Sequence, residues 1–334
     1  MTVSSIPALD DPAAFALVHG KLVAARQMIN EIVLGQEAMV THLLTGLLAG
    51  GHVLLQGPPG VGKTMVVRTI AAATGLDFAR IQFTPDLMPA DITGSTVLAV
   101  DADGRNTLEF QPGPIFTQLL LADEINRATP RTQSALLEAM QEFTVSAGGK
   151  TMRLDRPFFV LATQNPVEMD GTFVLPEAQI DRFLFRLDVD YPDAKTLTRI
   201  LGGRAEVAVA RASSVMSAAD IVQLQDLAAA MPVASHLLAA IAEFAVATQP
   251  SASRDDRVKR YLRMGLSPRG AQAFLAAARA HALLEGHSHV SFDDLRAVLG
   301  AITRHRVQLN FEGQAAGLSV EALARELFDR IARA

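Results

Sequence analysis

Gly57-Pro58-Pro59-Gly60-Val61-Gly62-Lys63-Thr64 follows the short apolar run Val53-Leu54-Leu55 and precedes Met65-Val66-Val67-Arg68-Thr69-Ile70-Ala71-Ala72-Ala73. A buried strand, a glycine loop and a helix in that order make the stretch a phosphate cradle. The glycines let consecutive backbone N–H groups turn inward as a nest. The helix behind them presents the positive end of its dipole. Lys63 is placed to reach the β- and γ-phosphates of a nucleoside triphosphate, and the Thr64 hydroxyl to ligate Mg²⁺. Gly57 to Met65 are thus the expected nucleotide-binding stretch.

About sixty residues beyond Lys63, the apolar run Leu119-Leu120-Leu121-Ala122 ends in Asp123-Glu124. A buried parallel strand would deliver Asp123 at its C-terminal edge, beside the phosphate loop, to hold the Mg²⁺ shell. Glu124, one residue on, can orient and deprotonate the attacking water. The run Phe158-Phe159-Val160-Leu161-Ala162 then leads to Thr163-Gln164-Asn165. There the Asn165 amide can hold that water or touch the γ-phosphate. Gln82 or Thr84, at the end of the second strand, is placed to hold Glu124 inactive until a partner binds.

The remaining composition narrows the class. With 334 residues the chain is long for one domain, so one large and one smaller unit are expected. A hydrophobic share of 49% supports a full core, and a net charge of −5 offers nucleic acid no electrostatic attraction. There is no cysteine, which excludes disulfides and thiolate metal sites and suits a reducing cytosol. Met1-Thr2-Val3-Ser4-Ser5-Ile6-Pro7 lacks a basic segment followed by a long apolar stretch, so no signal peptide is expected. No apolar run reaches the ~18 residues of a spanning helix, which predicts a cytoplasmic protein without membrane insertion.

Along the chain, residues 1–10 read as a tail, and Asp11-Pro12 as a cap and first turn of a helix running to about Ile32. Within an expected core domain over residues 11–192, residues 35–190 alternate strands with helices, the pattern of a parallel sheet covered on both faces. Strands are expected at 53–56, 79–83, 118–122, 158–163 and 183–187. A helix is expected over 132–142, with Ala135, Leu136, Ala139 and Met140 on one face. Two insertions interrupt the alternation. Residues 84–117 carry Pro85, Pro89, Gly94, Gly104, Pro112, Gly113 and Pro114, too much punctuation for one helix. Residues 143–154 read as a hairpin turning at Ala147-Gly148-Gly149-Lys150. Residues 193–334 read as helices only, with capping boxes at Ser217…Asp220 and Ser291…Asp294. A closing amphipathic helix spans 319–332 through Val320, Leu323, Leu327 and Ile331.

Three further stretches give the chain a resemblance: Gly113-Pro114-Ile115-Phe116, Leu121-Ala122-Asp123-Glu124-Ile125-Asn126-Arg127-Ala128, and Thr132-Gln133-Ser134-Ala135-Leu136-Leu137-Glu138-Ala139-Met140. With Ala162-Thr163-Gln164-Asn165-Pro166, Leu175-Pro176-Glu177-Ala178-Gln179-Ile180-Asp181-Arg182-Phe183 and Ser267-Pro268-Arg269, they closely resemble the MoxR family of AAA+ ATPases. The likeness runs from Val33-Leu34-Gly35-Gln36 to the last helices. It implies an α/β fold, an αβα P-loop core followed by an all-α lid. It also implies a homo-oligomeric ring, usually a hexamer, with ATP at the subunit interfaces. Val33 and Gly35 join the nucleotide-binding residues on the same ground, and the insertions become a helix-2 insert and a pre-sensor-1 hairpin. Arg182 looks like an arginine finger reaching the neighbour's γ-phosphate, and Arg269 like a second sensor that closes the lid. A planar, permanently charged guanidinium suits both roles. The plain alternatives are an ion pair of Arg182 with Asp181 and a surface arginine at a helix start. Leu266 departs from the family pattern, which leads us to expect a small residue before Ser267.

Function follows as a ranked expectation. First comes a Mg²⁺- and ATP-dependent, chaperone-like remodeller of a protein client, with a von Willebrand factor A (VWA) domain partner implied by the resemblance. A dedicated activator of the carboxylase-activase or gas-vesicle type is second. A nucleic-acid motor fits poorly with the acidic balance, no Trp and only 2 Tyr. A non-hydrolysing scaffold fits poorly with Glu124 and Arg182. His281, His287 and His289 suggest a metal site, but the sequence fixes no acidic partner for them. Residues 254–260 mix charge signs and read as a solvated face.

Overall fold

A computed structural model of the chain describes residues 12–100, 106–165, 172–203 and 214–333. The tail at 1–10, the Asp11 cap, Gly104 and Pro166 lie outside the described residues.

Helices α1 (Pro12–Ile32) and α2 (Glu37–Leu48) lead into β1 (Val53–Gln56) and α3 (Lys63–Thr74). The chain continues through β2 (Phe78–Gln82), α4 (Pro89–Thr93), β3 (Gly94–Val100), β4 (Asn106–Pro112) and β5 (Leu119–Asp123). Then come α5 (Pro130–Glu142), β6 (Thr144–Ala147), β7 (Lys150–Arg153), β8 (Phe159–Gln164), α6 (Glu177–Ile180) and β9 (Phe185–Asp188). Five of these strands form one sheet in the order β2-β5-β8-β1-β9, and every adjacent pair is parallel.

Runs such as Leu119-Leu120-Leu121-Ala122 build this sheet because a strand buried on both faces needs apolar residues at every position. Leu119, Leu121, Val53 and Leu55 face one core, shared with α1, α2 and α3. Leu120, Ala122 and Leu54 face a second core, shared with α5. The buried stripe of α5 is Leu136, Leu137, Ala139 and Met140, with Ala135 only partly covered. Each expected strand exists: β1 keeps the expected bounds, and the other four are displaced by one or two residues at their ends.

His52 fastens the sheet to α5. Its Nε2 donates to Met140 O at 2.9 Å and its Nδ1 accepts the Val160 N–H at 3.1 Å, so the ring works as a neutral donor and acceptor. Burial pushes its pKa down to about 4.

Each insertion carries an antiparallel strand pair, β3 with β4 after the short helix α4 and β6 with β7. Gly148 and Gly149 both take positive φ at the second turn, a backbone that glycine adopts without strain. Beyond β9 the chain forms α7 (Ala194–Gly202), α8 (Ala218–Ala230), α9 (Ser235–Ala247), α10 (Asp256–Tyr261), α11 (Pro268–Leu284), α12 (Phe292–Thr303), α13 (Phe311–Ala315) and α14 (Val320–Ala332). The two expected capping boxes are present at Ser217 and Ser291. The reading of helices only needs one adjustment. A small antiparallel ribbon joins β10 (Leu262–Met264) to β11 (Gln308–Leu309) and ties α10 to the segment after α12. Its strands are too short to leave a period-two signature.

Candidate functional site

The cradle forms where β1 ends beside β8 in the middle of the sheet, at the C-terminal edge where open parallel sheets bind ligands. Gly57 N–H donates to Gln164 O at 3.3 Å, and a Cβ at Gly57 would lie 2.5 Å from Val189 O. Gly60 and Gly62 have φ of 80° and 84°, which turns the loop back on itself. Gly62 caps α3 without a side-chain hydrogen bond, and no acidic residue lies in the first helical turn. The leading N–H groups of α3 are therefore left without a side-chain cap or a neighbouring acid, as an anion-binding helix start requires. Lys63 Nζ bridges to Gly57 O at 2.7 Å. Burial lowers its pKa, opposed by the charges of Asp123 and Glu124.

A cavity of about 770 Å³ opens above this loop, a size suited to a cofactor-sized ligand. The structure brings Pro59, Gly60, Gly62, Lys63, Thr64, Met65, Asp123, Glu124 and Asn165 to its wall. Arg68, Ala71 and Phe78 also line it, and motif spacing does not point to them. Val33, Gly35, Gly57, Pro58, Val61, Arg182 and Arg269 are not among its lining residues. Val33 is buried in the core, and Gly35 packs against Thr196 of α7.

The acidic pair is tightly organised. Thr163 Oγ1 accepts the Glu124 N–H at 2.9 Å and donates to Asp123 Oδ1 at 2.5 Å. Arg80 Nη2 donates to Asp123 Oδ2 at 2.6 Å and also to Gln82 Oε1 at 2.7 Å. Glu124 Oε2 accepts from Gln82 Nε2 at 3.0 Å and from Arg127 Nη1 at 2.9 Å. Of the two residues expected to restrain Glu124, Gln82 makes the bond. Glu124 adopts φ 57°, a left-handed backbone unusual for a residue with a Cβ. Gln133 fixes the turn that follows by donating to Ile125 O at 3.2 Å and Ala128 O at 3.1 Å.

The roles of Arg80 and Arg127 escape motif reading. The nearest signals are the alternation that puts Arg80 and Gln82 on one side of β2, and the three-residue step from Glu124 to Arg127. Asn165, only 5% exposed, accepts from Asn126 Nδ2 through its backbone oxygen at 3.4 Å. The donor set fits Mg²⁺: a threonine hydroxyl and a carboxylate, both hard oxygen donors, line one cavity.

Arg182 is not paired with Asp181, whose carboxylate goes instead to Arg306 Nε at 2.6 Å. Among the described residues, Arg182 Nε is buried with no hydrogen-bond partner. Arg269 is exposed in the first turn of α11, where Ser267 Oγ caps Gly270 N–H at 3.0 Å. The unexpected Leu266 is buried, packed where a Cβ on Gly270 would meet its Cδ1.

The acidic partner that the sequence leaves unfixed for two of the histidines is Asp294. His281 and His287 both bond Asp294 Oδ1 through Nδ1, at 2.9 and 3.0 Å, and Asp294 is fully buried. Asp294 reaches them because the Ser291 capping box holds it at the start of α12. Among the described residues no group of side chains is arranged to hold a metal ion. Residues 254–260 form ion pairs, among them Arg257 with Glu326 and Lys259 with Asp256, as a solvated face would. Among the described residues no single helix is long and apolar enough to cross a membrane.

Comparison with known proteins agrees with this geometry. Residues 52–185 match the ATPase family associated with various cellular activities (AAA), and residues 254–327 match the AAA lid domain. The chain is 41% identical to the chaperone MoxR1 of Mycobacterium tuberculosis, over 91% of this chain and 80% of that protein. It is 35% identical to the protein MoxR of Paracoccus denitrificans, over 87% and 90% of the two chains. A solved structure from Cytophaga hutchinsonii, assigned as an ATPase, superposes with a TM-score of 0.84 at 35% identity, covering 96% of this chain and 95% of that one.

Proposed function

The chain belongs to the MoxR family of AAA+ ATPases, and from that premise we propose that it is a Mg²⁺-dependent, ring-forming ATPase that remodels a protein client. The observation that carries the reading is one wall holding Lys63, Thr64, Asp123, Glu124 and Asn165 around an open helix N-terminus. In this reading the α3 N-terminus and Lys63 bind the phosphates, and Thr64 and Asp123 hold Mg²⁺. The ion, when bound, neutralises charge developing on the phosphoryl oxygens. Glu124 takes the proton of the attacking water, and Asn165 orients that water.

Gln82 and Arg127 both donate to Glu124 Oε2, which lowers the basicity of that carboxylate, and Arg80 competes with a metal ion for Asp123 Oδ2. The contacts keep the acids neutralised until nucleotide and a partner reorganise them. Arg80 and Arg127 are each nearly half exposed, so releasing them costs little. Arg182 completes the neighbour's site and Arg269 closes the lid, which makes the active form an oligomer, a hexameric ring on the family pattern. A VWA-domain protein is the proposed partner. The name of the Mycobacterium tuberculosis relative, a chaperone, supports client remodelling.

ATP binding and hydrolysis by single variants test the reading. Lys63→Ala removes the principal cation of the cradle and should abolish measurable ATP binding. Glu124→Gln should bind ATP normally and lose turnover by roughly 10²–10⁴-fold, the worth of a positioned general base. Near-normal hydrolysis by Glu124→Gln would assign the water-activating role elsewhere.

A further inference from the structure

Away from the nucleotide cavity, a dense set of polar contacts gathers on residues 181–184, and the partners come from the lid. Arg306, just beyond α12, is 5% exposed. Its Nε donates to Asp181 Oδ1 at 2.6 Å. Its Nη1 donates to Leu184 O at 2.9 Å and Ile302 O at 3.1 Å, and its Nη2 to Phe183 O at 2.6 Å and Asp181 O at 3.2 Å. A guanidinium has five N–H groups, and here each has an acceptor. Four of those acceptors belong to residues 181, 183 and 184.

Neighbouring lid residues reinforce the grip. His305 Nε2 donates to Phe183 O at 3.1 Å. Ser267 Oγ, at the cap of α11, lies 3.4 Å from Asp181 Oδ2. Arg263 of β10 pairs with Glu177, the first residue of α6. Arg182 sits inside this bracket with its own Nε unpartnered among the described residues. Its backbone is fixed from both sides by those bonds to residues 181, 183 and 184.

Stability alone does not explain such a contact, because an apolar pair of similar volume commonly replaces a buried ion pair at no loss. A planar fork bonded to consecutive carbonyls sets orientation, which lysine, a compact point charge, cannot reproduce. Burial lowers the pKa of Arg306 and the Asp181 carboxylate opposes that. The charge of Arg269 lowers it further, so Arg269 is within electrostatic reach.

We infer that Arg306, acting through Asp181, is the positioning residue for Arg182: it makes residues 181–184 part of the lid, so that each finger is aimed from its own subunit's lid. The inference rests on the reading of Arg182 as a group that acts on the neighbour's nucleotide. It gives Arg269 and Arg182 a common mount, since Ser267 and Arg306 both meet Asp181. Lid posture over one nucleotide thereby bears on the group that serves the next.

A double-mutant cycle tests it, reading kcat and the Kd for a fluorescent ATP analogue in the full-length oligomer. Arg306→Lys should lower kcat by roughly 10–10²-fold, the scale of an ångström-level misplacement. Its Kd should stay within about 2-fold of wild type, because its own cradle is untouched. Added to Arg182→Ala, it should cost nothing more, since no finger remains to aim. Asp181→Asn, which keeps an acceptor for Nε and removes the charge, carries the same cycle if Arg306→Lys does not fold. Losses that multiply in the double variant, or a Kd weakened as much as kcat falls, would overturn the inference while leaving the finger reading standing. A wild-type rate for Arg182→Ala alone would instead remove the finger reading, and the inference with it.

Discussion

Thr163→Val isolates the tie between the two acids at the end of β5. Valine keeps the shape of threonine, so no cavity opens, but it can neither accept the Glu124 N–H nor donate to Asp123 Oδ1. Those bonds measure 2.9 and 2.5 Å, and Thr163 is fully buried. A neutral hydrogen bond contributes ~1 kcal/mol and one to a charged group ~1.5–3 kcal/mol, so the variant should lose about 2–4 kcal/mol of stability. The N–H bond also pins Glu124 at φ 57°, a backbone costing roughly 1–3 kcal/mol that persists only while its surroundings enforce it. With the tie gone, Glu124 relaxes away from its working position, and kcat should fall by roughly 10²-fold with ATP binding retained. Parallel urea unfolding and steady-state ATPase assays read both effects. An unchanged urea midpoint together with wild-type turnover would refute the claim that Thr163 positions the pair.

Two further outcomes follow from the same structure. His52 is buried with a pKa of about 4 against 6.5 for the free side chain, so the unfolded chain takes up its proton first as pH falls. Stability present above pH 6.5 is therefore lost between pH 6.5 and 4, by about 3 kcal/mol. His52→Gln, a non-titrating donor and acceptor, should flatten the pH dependence of the urea midpoint by that amount, and an unaltered slope would contradict the assignment. Gln82→Ala removes one donor from Glu124, a bond worth ~0.5–1.5 kcal/mol, so basal ATPase without a partner should rise roughly 2–10-fold. A fall in basal rate would show that Gln82 assists catalysis rather than restraining it.

What the sequence revealed and what it hid divide along the range of the interactions. The phosphate loop is legible because its chemistry lies in eight consecutive residues, Gly57 to Thr64. The core strands are legible because burial on both faces forces continuous apolar runs. The hydrogen bond from Gln82 to Glu124 is half legible: the end of β2 is the right place, but Gln82 and Thr84 cannot be told apart without the register that pairs Gln82 with Asp123. Arg80 with Asp123, Arg306 with Asp181 and His281 with Asp294 join residues 43, 125 and 13 positions apart. No local pattern marks such pairs, since each depends on which helix end the fold sets against which strand. The tie between Arg306 and Asp181 also decided a question the sequence left open, because it takes the carboxylate that Arg182 could otherwise have paired with.

In the proposed ring each active site is completed by a neighbouring subunit, and mixing two inactive variants probes that arrangement. Lys63→Ala keeps its finger and loses its cradle, whereas Arg182→Ala keeps its cradle and loses its finger. Each alone should be nearly inactive, with the second still binding ATP and losing roughly 10³–10⁵-fold in turnover. In mixed oligomers an intact cradle meets an intact finger, so the account predicts that ATPase activity returns. No recovery in oligomers shown to be mixed, or a fully active Arg182→Ala monomer, would contradict it.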